Sequence, residues 1–267
     1  MKRLSLLVTG LLVVAMLAVF AWYSSPDARQ SRAVQPSKLA GGSERDTRNI
    51  GELDLERLYP NIILRTGKNV GKLVCLTFDD GPDKTYTPTV LDILKEKDVK
   101  ATFFLIGKRV QEDPAIVKRI AEEGHLIGNH TYSHADLDKA SPEVEQELSK
   151  MEATLKPLGL SGNALFRPAY GAANPSLVEQ VSNLGYKIAM WSVDSLDWRG
   201  LSSAEVFRNV NNNIVPGAVI LQHSAGGPGE DLSGSVAALP QIIDDLQARG
   251  YRFVTMSEMF KLTRSDP

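Results

Sequence analysis

Leu73-Val74-Cys75-Leu76-Thr77-Phe78-Asp79-Asp80-Gly81-Pro82 decides the fold. Uncharged residues 73–78 end in two adjacent carboxylates, and Gly-Pro then breaks the backbone. The run reads as a strand buried on both faces. Adjacent carboxylates repel, and burying them unpaired is costly, so a metal ion or an arginine is expected beside them. At the carboxyl end of a barrel strand they would stand where such folds keep their chemistry. The same four residues, Asp-Asp-Gly-Pro, also suit a surface turn.

The sequence on either side favours the strand. From Lys72 onward apolar runs at 72–78, 101–106, 125–129, 164–167, 186–193, 217–222 and 251–256 alternate with helical patterns at 88–97, 114–123, 142–157, 175–184, 203–213 and 234–249. Four helices open with a capping residue and a proline: Thr87-Pro88, Asp113-Pro114, Ser141-Pro142 and Asn174-Pro175. Gly124, Gly159, Gly185 and Gly250 stand where helices should stop. Pro240 suits the last helix only near its first turn. Such βα repetition predicts an α/β fold, an irregular (β/α)7-8 barrel of the distorted TIM type, with a doubly wound open sheet as the alternative. No glycine-rich fingerprint follows the first strand, and Gly226-Gly227-Pro228-Gly229 lacks a following Lys-Ser/Thr, so no nucleotide cofactor is expected.

Upstream the chain changes character. Lys2 and Arg3 precede the uncharged stretch Leu4–Tyr23, long enough to span a bilayer and also shaped like a secretory signal. Residues 1–23 therefore read as a signal-anchor or a signal peptide, and membrane contact is expected through residues 4–23. Residues 24–50, rich in Ser, Arg, Gln, Gly and Asp, read as a flexible linker. Residues 51–71 form an apolar lead-in, 72–257 one catalytic domain, and 258–267 a C-terminal tail. The expected location is the cell membrane with an extracytoplasmic domain, or secretion if the leader is cut. The lone Cys75 permits no internal disulfide and reads as core filler. With 43% hydrophobic residues and a net charge of −2 the chain is globular in composition, without the basic excess that nucleic acid demands.

His130 and His134 stand four apart, on one face if the segment is helical and close enough to share an ion. With a carboxylate from another strand end they would make a two-His-one-carboxylate site. Other strand ends carry Arg167-Pro168-Ala169-Tyr170-Gly171, Asp194-Ser195-Leu196-Asp197-Trp198 and Leu221-Gln222-His223. His125, at the start of a strand, reads as structural.

In order, TFDDGP, HTYSH, RPAYG, DSLDW and LQH resemble the five motifs of the polysaccharide deacetylases of the NodB homology class, carbohydrate esterase family 4. The resemblance covers about residues 72–257; Ala169 departs from it, standing where a second proline is common. It implies that Asp80, His130 and His134 bind a divalent metal, zinc first, with cobalt, manganese or nickel as other candidates. It implies Asp79 as general base, held by Arg167, and His223 as general acid, oriented by Asp197. The backbone N–H of Tyr170 would stabilise the oxyanion, and Trp198 and Leu221 would wall an acetyl pocket. The implied activity is removal of N-acetyl groups from N-acetylglucosamine-type residues of a cell-wall glycan, peptidoglycan first and chitin-like oligomers next. The alternatives are a deacylase of another amide or ester on the same site, or a non-catalytic wall-binding scaffold.

Overall fold

The structure is a computed structural model that describes residues 55–137 and 143–262. Residues 1–54, 138–142 and 263–267 lie outside them, and with them the expected leader with its membrane contact, the expected linker and the Ser141-Pro142 cap. All described residues belong to one compact unit. Among them no helix is long and apolar enough to cross a membrane.

The strands are β1 (Ile63–Leu64), β2 (Leu73–Asp79), β3 (Thr102–Leu105), β4 (Leu126–Asn129), β5 (Leu165–Phe166), β6 (Lys187–Ala189), β7 (Val193–Asp194), β8 (Ala218–His223) and β9 (Arg252–Phe253). The helices are α1 (Thr87–Glu96), α2 (Gly107–Glu112), α3 (Pro114–Glu122), α4 (Val144–Leu155), α5 (Pro175–Asn183), α6 (Ser203–Asn211), α7 (Ser233–Ala248) and α8 (Met256–Phe260). All strand pairs are parallel, in the order β1-β6-β5-β4-β3-β2-β8-β7, with β9 beside β2. The path curls back on itself: β6 pairs with β5, and β7, three residues further on, pairs with β8. One bent stretch, 187–194, thus joins both ends of the sheet, and a barrel results. Where it bends, β1 lies along β6, and Thr66, two residues past β1, bridges antiparallel to Ala218 of β8. The lead-in segment therefore fills the irregular seam.

The two-residue period of a strand sorts side chains between barrel interior and helix layer. On β2, Val74, Leu76 and Phe78 pack with Val90, Leu91 and Leu94 of α1. Cys75 faces the other way, against Phe104, Val219 and the methionines of α8, with its thiol 3.8 Å from the Met259 sulfur. Burial pushes the Cys75 thiol up, away from the reactive thiolate. The inward column of β2 continues through Thr77 to Asp79, and that of β8 runs Val219, Leu221, His223. Chemistry thus begins where each inward column ends, at the carboxyl end of the barrel.

Local details differ from the sequence reading in four places. Thr87 is not the cap of α1; Asp83 Oδ1 accepts the N–H groups of Tyr86 and Thr87 at 2.7 and 3.0 Å, because the intervening turn folds it back. Asp113 makes no side-chain cap, whereas Asn174 accepts from Leu177 N–H at 2.9 Å. Pro240 lies in the interior of α7, eight residues in; buried Leu239, Ile242, Ile243 and Leu246 hold the helix together across the missing donor. The short helix α2 has no sequence signal, since it opens on glycine and carries too few apolar residues to show a period. Gly124, Gly159, Gly185 and Gly250 do stop helices, all with positive φ.

Candidate active site

Asp79 and Asp80 occupy consecutive positions, so on a straight strand they would face opposite sides. The strand ends at Asp79, and Asp80 turns left-handed with φ 69°. Aspartate tolerates that conformation better than most residues. Both carboxylates then meet one imidazole: His130 Nε2 lies 3.2 Å from Asp80 Oδ1 and 3.9 Å from Asp79 Oδ2. Gly81 permits the turn, since a Cβ there would sit 2.6 Å from Ser224 Oγ.

Asp80 Oδ1 is also 3.2 Å from His134 Nε2, and the three ligand atoms lie within 4.8 Å of one another. Among the described residues this is the one such cluster of three or more. His130 Nδ1 is 2.7 Å from the Arg167 carbonyl, which only a protonated Nδ1 can satisfy; Nε2 is the ring atom that faces Asp80. Asp80 Oδ1 is buried without a hydrogen-bond partner. A tetrahedral cation with bonds of about 2.0–2.2 Å has ligand edges of about 3.3–3.6 Å. The donor set and its spacing fit a divalent metal. Burial opposes ionisation of Asp80, but His130, His223 and His134 outweigh it and hold the carboxyl below the usual range. Burial and the charge of His130 lower His134, which favours the neutral, ligating imidazole. At His130 burial is overcome by Asp79 and Asp80, and the imidazole is raised.

Segment 130–134 is not helical, contrary to the condition attached to its spacing. Thr131 and His134 both have left-handed backbones, and tertiary bonds bring the imidazoles together.

Behind the cluster Arg167 is fully buried. Its Nη1 donates to Asp79 Oδ1 at 2.7 Å and to Thr77 Oγ1 at 2.8 Å; its Nε donates to the Ala189 carbonyl at 3.0 Å. The guanidinium carbon sits 4.1 Å from the centroid of the Phe104 ring. A buried cation so fully bonded offsets its desolvation, and it ties up one oxygen of Asp79 while the other faces His130. Nothing in the sequence marks Thr77 as part of the site, although it stands two residues before Asp79 in the same inward column.

His223 is the register partner of Asp79 on the adjacent strand. Its Nδ1 donates to Asp197 Oδ1 at 2.7 Å, and its backbone N–H to Asp197 Oδ2 at 2.8 Å. Ser235 Oγ adds a bond to Oδ2 at 2.7 Å; no sequence pattern pointed to it. Burial alone would lower His223, but the Asp197 carboxylate pushes it up to about 10. Asp194 instead accepts from Leu196 N–H at 2.8 Å and shapes the loop. Leu221 is buried two residues before His223 on the same strand face, and Trp198, half-buried, follows Asp197. Tyr170 has φ 61° and its ring meets that of His134 edge-on at 4.7 Å. His125 lies apart: its Nδ1 accepts the Ala101 N–H at 3.1 Å, and burial lowers its pKa to about 4.

Comparison with known proteins agrees with this geometry. A family model described as polysaccharide deacetylase matches residues 66–189. A peptidoglycan-N-acetylglucosamine deacetylase of Bacillus cereus is 47% identical over 192 residues, covering 72% of this chain and 69% of the relative. A peptidoglycan-N-acetylmuramic acid deacetylase of Bacillus subtilis is 33% identical, covering 72% and 73%. A crystal structure of a peptidoglycan N-acetylglucosamine deacetylase bound to an N-hydroxybenzamide superposes with TM-score 0.75 at 42% identity, covering 79% of this chain and 98% of that one. A pseudoenzyme of family CE4 from Bacillus anthracis superposes with TM-score 0.67 at 29% identity, covering 74% and 68%. The chain belongs to the polysaccharide deacetylase family, metal-dependent hydrolases of N-acetyl amide bonds.

Proposed function

We propose that this deacetylase removes the acetyl group from N-acetylglucosamine residues of peptidoglycan, with Asp80, His130 and His134 holding zinc. The observation that carries the reading is the unpartnered Asp80 Oδ1 flanked at 3.2 Å by two imidazole nitrogens, beside an arginine-bound Asp79. The glycan assignment is supported by the names of the relatives.

When bound, the divalent cation supplies Lewis acidity toward water and the amide carbonyl. Asp79 takes the proton of the attacking water on the oxygen that Arg167 leaves unbonded. Arg167 fixes that carboxylate through its 2.7 Å bond to Oδ1. The Tyr170 backbone N–H receives the developing negative charge. His223 delivers a proton from Nε2 to the departing amine, and Asp197 holds its ring through Nδ1. Leu221 and Trp198 bound a space suited to a small acyl group.

The reading is tested by acetate release from peptidoglycan, from chitin oligomers, and from acetylated amides and esters without sugar. Faster release from peptidoglycan supports it. Preference for the non-glycan substrates overturns it in favour of a different deacylase, and no release from any favours a scaffold.

The His223–Asp197 pair gives a second expected result. A group whose folded pKa is raised contributes stability in full below its unfolded value and loses it as pH rises through the folded value. In the metal-free protein this contribution should therefore be present below about pH 6.5 and lost as pH passes about 10. Asp197→Asn should remove it and shift the alkaline limb of kcat/KM toward neutral pH. Unaltered limbs in Asp197→Asn would argue against His223 as the acid.

A further inference from the structure

The imidazoles of His130 and His134 converge without help from a regular helix, so something outside the segment must hold it. Two bonds are local: Asn129 Oδ1 accepts from Thr131 N–H at 2.9 Å, and Thr131 Oγ1 from Ala135 N–H at 3.2 Å. The start of α2 supplies two more, Gly107 N–H to the Thr131 carbonyl at 3.0 Å and Lys108 N–H to the Tyr132 carbonyl at 2.9 Å. The N–H groups of Tyr132 and Ser133 turn instead to one carboxylate on α4. Glu147 Oε2 accepts from Tyr132 N–H at 2.9 Å and from Ser133 N–H at 2.8 Å, while Oε1 accepts from Ser133 Oγ at 2.9 Å. Consecutive N–H groups converging on one oxygen form an anion-holding nest. The left-handed residues at Thr131 and His134 bracket this nest, with φ 66° and 62°. Such backbones persist only where the surroundings over-determine them.

We propose that Glu147 is a positioning residue of the metal centre: its carboxylate pins the Tyr132–Ser133 backbone so that His130 and His134 present Nε2 to Asp80 at ligand spacing. The inference rests on the reading of Asp80, His130 and His134 as metal ligands. It differs from that reading in its residue, which touches neither metal nor substrate. Removing a partner that orients ligands typically lowers metal affinity about 10- to 100-fold.

The test uses the full-length protein stripped of metal, titrated with zinc against a chromophoric chelator, and amide exchange at Tyr132 and Ser133 before zinc is added. Glu147→Ala should lose about 10- to 100-fold in zinc affinity and lose protection at both amides. Glu147→Gln should recover most of each, because its amide oxygen accepts both N–H groups while its NH2 meets the Ser133 hydroxyl. Glu147→Asp keeps the charge but falls short of the loop, so it should follow Glu147→Ala and decides the matter if the alanine variant does not fold. Glu152→Ala is the control on the same helix. It removes bonds from Gly162 N–H and Tyr186 Oη, both at 3.1 Å, and should keep wild-type affinity. Wild-type zinc affinity in Glu147→Ala or Glu147→Asp, or an equal loss in Glu152→Ala, overturns the proposal. Failure of the wild-type protein itself to take up zinc would instead strike the ligand reading on which it depends.

Discussion

Asp79→Asn should lower kcat by about 10²- to 10⁴-fold while zinc remains bound at wild-type stoichiometry. The direction follows from the donors around the side chain. Arg167 Nη1 lies 2.7 Å from Oδ1 and demands an acceptor there. In the variant the amide oxygen must therefore turn to Arg167, and the amide NH2 is left facing His130. A donor then occupies the one position where an acceptor of the water proton is required. Thr77 and Phe104 still hold Arg167, so the fold around it should persist. Circular dichroism and zinc analysis separate this outcome from unfolding. A nearly normal kcat would remove Asp79 as the base.

Removing a ligand should have an effect at least as large, and by a different route. Asp80→Ala and His134→Ala should each weaken zinc binding by more than the ~10- to 100-fold expected for an outer partner, and activity should fall with it. A ligand that binds only the folded state stabilises it by about 4 kcal/mol at a thousandfold excess over Kd. Wild-type protein should therefore melt higher when zinc is added, and both variants should lose that increment. Asp80 is the more telling position, because its Oδ1 is buried and flanked by both imidazoles at 3.2 Å. An undiminished zinc-dependent rise in Tm in Asp80→Ala would show the ligand set to be wrong.

The fold was legible because buried parallel strands announce themselves as continuous apolar runs. Leu73–Phe78, Ala101–Ile106 and Ala218–Leu221 are of this kind; the first and third lie within β2 and β8, and the second encloses β3. What the sequence concealed was closure. Residues 186–193 look like one strand, yet they divide at 190–192 and serve both ends of the sheet. Hydropathy has no signal for such a bend. Within the site, the proximity of Arg167 to Asp79 follows from charge, since paired carboxylates need a cation. The spacing of His130 and His134 pointed to a shared ion, but the local structure behind that reading was a helix, and the chain uses a pinned loop. Thr77, Ser235 and Glu147 were invisible for a common reason. Each acts through two or three hydrogen bonds to residues 13 to 143 positions away, and nothing in its own neighbourhood marks it.

The most direct test is anomalous diffraction at the zinc absorption edge from crystals of the zinc-loaded protein. The expected result is one strong peak about 2.0–2.2 Å from an Asp80 carboxylate oxygen and from Nε2 of both His130 and His134, with Asp79 beside it and outside bonding range. A zinc ion held by other side chains, with the Asp80–His130–His134 cluster bare, would contradict the account.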